Sequence, residues 1–300
     1  MDGPKIILSL MFFTMAFAFY AMTTLFYIGN WVFRKDWMGQ TATIMAYIAA
    51  FAMTMVLISR ASESGHAPFS NLYESMVLFI WALNIGYLWM EHKYKIKIMG
   101  VFVMGICLAS MLSASLLPYR FKSVEPLNPA LQSKWKWMVK LFEPIGLQNY
   151  AIGWLDFHVF TTFIGYAAFA ISFGVAIMYI LKVRSEEKGG GNFLVERFPK
   201  ARILDELSYR GIVWGFPFLS IGIVTGAVWA NYAWGTYWSW DPKETWSLIT
   251  WFVYAAYLHA RVTRGWRGKK AAYIAILGFL AIIFLYWGVS FILPGLHAYA

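Results

Sequence analysis

Six stretches of this chain carry no Asp, Glu, Lys or Arg for the full width of a lipid bilayer: residues 6–33, 37–59, 98–119, 157–181, 211–240 and 271 to the end. Crossing the hydrocarbon takes about 20 apolar residues as a helix. Two shorter runs, 75–90 and 245–260, reach that length only by taking in Glu74 or Glu244. In lipid every backbone polar group must find its partner within the protein, so only helices and closed barrels span. Strand-like alternation of polar and apolar residues is absent, which leaves helices. Hydrophobic residues make up 60% and charged residues 13%, against about 45–50% and about 25% in soluble domains. The expectation is an all-α polytopic integral membrane bundle of about eight transmembrane helices, forming one domain over 1–300. The first run is too long, and lacks a cleavage-like end, for a removed signal peptide.

The net charge of +10 does not point to nucleic acid, because the basic residues sit in short connections between apolar runs. They sort by side instead. Seventeen of the 25 Lys and Arg fall in the connections around 34–35, 93–97, 182–210 and 261–270; eight fall on the other side. The positive-inside rule makes the richer side cytoplasmic. Both termini then lie outside, with the turn 64–71, the loop 119–156 and the segment 234–246. Residues 182–210, with SEEKGGGN at 185–192, read as a flexible cytoplasmic linker. Cys107 is the only cysteine, so the chain has no internal disulfide and no CxxC or CxxCH motif.

The outer segment 234–246 reads WGTYWSWDPKETW. Trp has a large flat apolar face and one N–H donor. Belts of Trp and Tyr are common at membrane interfaces, but their residues scatter over many helix ends. Here Trp234, Trp238 and Trp240 crowd into one turn with Tyr237, Asp241 and Lys243, as a platform for a large flat ligand would. His158 starts the run 157–181 at its outer end, and His297 follows the last run on the same side. Haem iron takes two axial ligands, and neutral imidazole suits it. His259 lies elsewhere. Fourteen residues beyond Thr245, at about 1.5 Å each, it is about 21 Å deeper in a core of about 30 Å. A histidine at that depth is either functional, or snorkels beside Arg261, or bonds a helix carbonyl. His92 reads as a solvated loop residue and His66 as part of an outer turn.

WGTYWSWDPKET resembles the WWD signature of haem-handling proteins, WGxxWxWDxxET. TWSLITWFVYAAYLHAR (245–261), GLHAYA (295–300), SGHAPFSNLYES (64–75), PALQS (129–133) and WLDFHVFTTFIGYAA (154–168) resemble the CcsA/ResC type of cytochrome c assembly proteins. The resemblance runs from about residue 60 to the end. One departure is an insert of 20 residues between PALQS and WLDFH, with alternating Lys and Trp, which reads as a surface helix on the membrane.

The resemblance implies System II cytochrome c maturation: haem b is the transported substrate, presented at the outer face and attached to the CxxCH cysteines of apocytochrome c. It implies a CcsB/ResB-type membrane subunit and a thiol-reducing thioredoxin-like protein as partners, with no nucleic acid. It places the chain in the inner (cytoplasmic) membrane, with the WWD segment facing the periplasm or outside. It makes His158 and His297 ligands of an outer haem iron and His259 a ligand of an inner one. Trp234, Gly235, Tyr237, Trp238, Trp240 and Asp241 would contact the macrocycle, and Lys243 or Arg120 its propionates. Asp241 could instead cap a turn, and Glu244 and Thr245 start the helix that follows. The competing readings are a haem exporter or System I-like handler without thioether chemistry, and a membrane protein with a structural Trp belt and no haem.

Overall fold

The computed structural model describes residues 5–118, 134–145, 150–293 and 295. Its helices are α1 (Lys5–Phe33), α2 (Asp36–Ser64), α3 (Leu72–Tyr94), α4 (Met99–Leu116), α5 (Lys136–Phe142), α6 (Trp154–Glu187), α7 (Ala201–Trp234), α8 (Pro242–Thr263), α9 (Lys269–Ile283) and α10 (Val289–Ile292). A π-helical turn, Phe284–Gly288, joins the last two. No strand forms among the described residues; the one isolated bridge pairs Lys134 with Gly153. The chain is an all-α polytopic membrane protein.

Seven helices are long and apolar enough to cross a bilayer: α1, α2, α3, α4, α6, α7 and the continuous Lys269–Ile292 rod. The expected eighth, α8, falls short on composition rather than length. Its 22 residues rise about 33 Å at about 1.5 Å each, but Lys243, Glu244, His259 and Arg261 dilute its apolar face. The long helices also consume most of the 182–210 connection, since α6 continues to Glu187 and α7 starts at Ala201.

The pattern of burial sorts the spans. In α3 and α6, 72% of the most apolar window is buried, against 33–39% in the others, so these two form the inside of the bundle. Small residues let the remaining helices close on them. Ala42, Ala46, Ala49, Met53 and Val56 line one face of α2 and are fully buried, against Ala16, Tyr20 and Tyr27 of α1. The most extensive seam is α6 on α7. There Gly211, Gly215, Gly222 and Gly226 form two GxxxG rows, the spacing that brings membrane helices into backbone contact. A Cβ at Gly215 would lie 2.8 Å from the Phe169 ring and 3.0 Å from the Gly165 carbonyl oxygen. Ser172 and Ser208 close the same seam, the Ser172 hydroxyl donating to the Ser208 carbonyl at 2.6 Å.

Polar networks tie the ends. At one end Arg60, buried, donates through Nε to Glu74 at 2.9 Å, and Glu74 also accepts from the Ser70 amide and hydroxyl, both at 2.9 Å. This holds the 64–71 turn over the bundle. At the other end Glu91 accepts hydroxyls from Tyr27, Thr43 and Tyr87 at 2.5, 2.5 and 2.6 Å. There too Arg261 meets Asp205 at 2.7 Å and Lys269 meets Glu187. The connections thus gather into the two groups that the Lys and Arg tally separates.

Two substitutions probe this frame. Gly215→Leu overpacks the α6–α7 seam and is expected to cost about 1–3 kcal/mol, seen as a lower Tm in detergent. Arg60→Ala leaves the Glu74 carboxylate buried without its guanidinium and is expected to cost about 3–5 kcal/mol. An unchanged melt for either would refute the packing described.

Candidate functional site

At the end holding the 64–71 turn, α3, α6, α7, α8 and the π turn enclose a cavity of about 330 Å³. That is near the lower end of small-molecule sites, which run from about 300 to about 1,000 Å³. His158, in the first turns of α6, faces this space. Its Nδ1 lies 2.6 Å from the Gly222 carbonyl oxygen. A carbonyl only accepts, so Nδ1 carries a proton, and in the neutral ring Nε2 keeps its lone pair. Anchoring one ring nitrogen on a carbonyl is how proteins orient a histidine that binds metal through the other. The ring fits because residue 226 is glycine: a Cβ there would stand 2.6 Å from Nδ1. Trp229 lies parallel to the imidazole, centroids 6.5 Å apart at 9°, and meets Trp234 edge-on at 4.8 Å.

The WWD segment forms one wall of the cavity, and its residues divide into two groups. Trp234, Tyr237 and Trp238 line the cavity, with Lys243 and Glu244. Gly235, Trp240 and Asp241 do not. Gly235 ends α7 with φ of 78°, a conformation that suits glycine. Trp240 is 69% exposed, packs edge-on against Trp238 at 5.9 Å and also adopts a positive φ, 60°. Asp241 is the N-cap of α8. Its carboxylate accepts from the Lys243 amide at 3.0 Å, while Glu244 reaches back to the amides of Ser239 and Asp241 at 2.8 and 3.2 Å. This reciprocal capping box satisfies amides that would otherwise be orphaned at a helix start. Both acids are buried, so the D and E of the signature hold the Trp-bearing turn in shape.

Two features of the wall, Trp229 and Tyr286, lie outside the motifs quoted from the sequence, whereas Phe69 and Ser70 fall within SGHAPFSNLYES. Trp229 lies seven residues after Gly222 and three after Gly226, so the glycine rows of α7 mark its face. Tyr286 reaches the cavity from the π turn, its hydroxyl 2.7 Å from Ser75 Oγ and 3.0 Å from the Leu72 carbonyl; such turns insert one residue and re-aim side chains. Phe69 and Ser70 close the side nearest the 64–71 turn. Lys243 Nζ, 3.4 Å from Ser290 Oγ, is the cation of the wall.

The remaining histidines separate clearly. His66 is buried, with Nδ1 2.8 Å from the Ala67 carbonyl, a turn-holding role. His92 is exposed. His259 is exposed on α8, far along the helix from the Trp cluster. His297, Arg120 and PALQS lie outside the described residues. Gly295, two residues before His297, packs on Asp241 and Pro242, where a Cβ would come within 2.4 Å of the Asp241 carboxylate. In the insert, α5 leaves Trp137 and Leu141 exposed, and Trp135 donates its amide to the Ile152 carbonyl at 3.1 Å. Burial holds the nearby Lys134 ammonium below its ordinary range, with the Asp156 carboxylate opposing.

Comparison with known proteins places this membrane protein in the cytochrome c assembly class. A family profile described as "Cytochrome C assembly protein" matches residues 148–297. Cytochrome c biogenesis protein CcsA of Guillardia theta is 38% identical over 98% of this chain and 92% of its own length. That of Prochlorococcus marinus (strain NATL2A) is 40% identical over 91% and 89%, and that of Pyropia yezoensis 35% over 87% and 88%. The chain belongs to the CcsA family of cytochrome c biogenesis proteins. Its fold is similar to a solved "Cytochrome c Heme Lyase CcmF", with a TM-score of 0.60 at 17% identity, covering 95% of this chain and about half (51%) of that one.

Gly226→Ala is expected to push the imidazole off the Gly222 carbonyl while leaving helix content unchanged; the ring Nδ1–H resonance in ¹⁵N-labelled protein reports it. Asp241→Ala removes one cap, expected at about 0.5–2 kcal/mol, and should raise protease sensitivity at 235–240. Glu244→Gln keeps two acceptor lone pairs and should be milder than Glu244→Ala.

Proposed function

We propose that this chain binds haem b as a transported substrate in the Trp-walled cavity and, with a CcsB/ResB-type subunit, presents it for attachment to apocytochrome c. The observation that carries the reading is His158, tautomerically fixed by Gly222 with Nε2 free towards an aromatic wall. His158 and His297 are the proposed axial ligands of an outer haem iron. Gly295 packed on Asp241 supports bringing the second one to the WWD turn. Trp234, Tyr237 and Trp238 hold the macrocycle face, Lys243 meets a propionate, and Gly235, Trp240 and Asp241 frame the turn. His259 is the proposed ligand of an inner haem. Its exposure on α8 suits a second axial histidine from the partner subunit.

The chemistry asked of the chain is positioning. In thioether formation each cysteine S–H adds across a haem vinyl group. The sulfur bonds one carbon and the proton goes to the other, with no net oxidation. The apocytochrome brings both thiols, and a thioredoxin-like protein keeps them reduced. Its CxxCH histidine displaces His158 or His297, which couples release to attachment. The chain lies in the inner (cytoplasmic) membrane as one domain. Loops 64–71, 119–156 and 234–246 and both termini are outside; the 182–210 connection is cytoplasmic.

The test is a haem spectrum of the chain purified with and without the partner. Wild type is expected to show reduced bis-imidazole b-type bands, weakened in His158→Ala and His297→Ala and restored by added imidazole. A separate loss is expected in His259→Ala. Wild type without haem even in the complex, or bands indifferent to all three substitutions, would leave a Trp-belted protein and sink the ligand assignments. Haem bound normally but no thioether product in the reconstituted complex would favour export alone.

A further inference from the structure

A second cavity, of about 750 Å³, opens at the opposite end of the bundle from the Trp wall. Four cations face it, Arg34, Lys95, Lys97 and Arg197, against one acid, Asp36. Basic side chains at helix ends usually complement the carbonyl dipoles there, and Arg34 and Lys95 do follow α1 and α3. Dipoles do not account for the whole arrangement. Arg34 and Lys95 hold left-handed backbones, φ 54° and 57°, outside the region that β-carbon-bearing residues favour. The Lys97 stem is wedged between helices, with Gly39 of α2 leaving room for its Cδ. Arg34 and Arg197 share one aromatic ring, standing 5.7 and 3.7 Å from the Phe193 centroid.

Arg197 is fixed. It donates to the Trp31 carbonyl and at 2.7 Å to that of Val32, and the Trp31 indole returns a bond to the Leu194 carbonyl at 2.9 Å. Arg197 Nε is buried without a hydrogen-bond partner. Partial burial and the charge of Arg34 both push its guanidinium below the ordinary range. Among the described residues none of the four cations is in an ion pair. Four cations are thus gathered against one acid, with no ion pair among them.

The flanks specify what would compensate them. Phe33, Trp37 and Phe193, at 64, 57 and 55% exposure, stand beside the pocket. Phe33 ends one membrane span and Trp37 lies in the first turn of the next. Aromatics of this kind sit at headgroup level. A soluble anion has no use for such flanks; a phospholipid has, with its phosphate among the cations and its acyl chains along α1 and α2. Basic pockets between helices at the cytoplasmic face take anionic headgroups.

We propose that the pocket formed by Arg34, Lys95, Lys97 and Arg197 is a binding site for the phosphate of an anionic phospholipid, which pins the 193–199 strap to the end of α1. The site is independent of haem. The test is native mass spectrometry of the full chain in detergent, titrated with phosphatidylglycerol or with phosphatidylcholine of the same acyl chains. Phosphatidylglycerol is expected to be retained preferentially. Arg34→Gln with Lys97→Gln should weaken it about tenfold or more. Arg34→Lys with Lys97→Arg should hold it, and Lys188→Gln with Arg202→Gln, at the same end but outside the pocket, should leave it unchanged. Equal retention of the two lipids, or equal loss in the charge-keeping and outlying variants, would overturn the proposal. So would inorganic phosphate alone raising the Tm as much as phosphatidylglycerol, which would make the site one for a free anion.

Discussion

The bond between His158 Nδ1 and the Gly222 carbonyl, at 2.6 Å, is the contact on which the Trp-lined cavity depends. A helix carbonyl is already engaged in its own ladder, and a side chain from a neighbouring helix reaches it only where the two backbones come unusually close. Glycine at 215, 222 and 226 permits that approach, since a Cβ at any of the three would intrude on Phe169, Thr162 or His158 itself. Packing and chemistry are therefore set by one seam. The glycine rows bring α6 onto α7, the approach delivers the carbonyl, and the carbonyl fixes which nitrogen stays open.

The second constraint is electrostatic, and it lies in the backbone of the WWD turn. A chain that leaves α7, turns sharply and enters α8 leaves several amide groups without helical partners. Asp241 and Glu244 take up those of Ser239, Asp241 and Lys243. With the amides satisfied, Trp234, Tyr237 and Trp238 can face the cavity while Trp240 faces out. The acids of the signature thus act on the protein itself, and its aromatic residues act on the space beside it.

Much of this architecture is legible in the order of residues alone. The six charge-free runs and the shorter run 75–90 locate the seven spans, because bilayer thickness leaves few alternatives, while the expected eighth at 245–260 is not among them; the Lys and Arg tally groups the connections into two ends. The Trp cluster and His158 point to one place. What stays hidden has physical reasons. Which Trp faces inward depends on a non-repeating turn with a left-handed residue at 240, where no periodicity applies. Tyr286 reaches the wall through a π turn, which breaks the 3.6-residue count used to assign faces. α8 resists assignment because its polar residues serve caps, ion pairs and His259 at the expense of apolar length. The GxxxG rows, by contrast, are plain in the sequence, and they mark both the α6–α7 seam and the face that carries Trp229.

The two ends of the bundle treat charge in opposite ways. Around the Trp-lined cavity the buried ions are matched: Arg60 sits between Glu63 and Glu74, and the capping acids take backbone donors. An apolar, aromatic chamber needs this, because an unmatched charge nearby would draw in water and compete for the open imidazole nitrogen. At the opposite end Glu91 and Asp205 are matched as carefully, yet among the described residues the cations around the Arg34–Arg197 pocket form no ion pair. Water and mobile ions screen such a cluster, and an anionic membrane surface would supply the fixed counter-charge proposed for this pocket. The same sequence thus builds one end whose cavity is walled by aromatic side chains and an opposite end that presents four cations to one pocket.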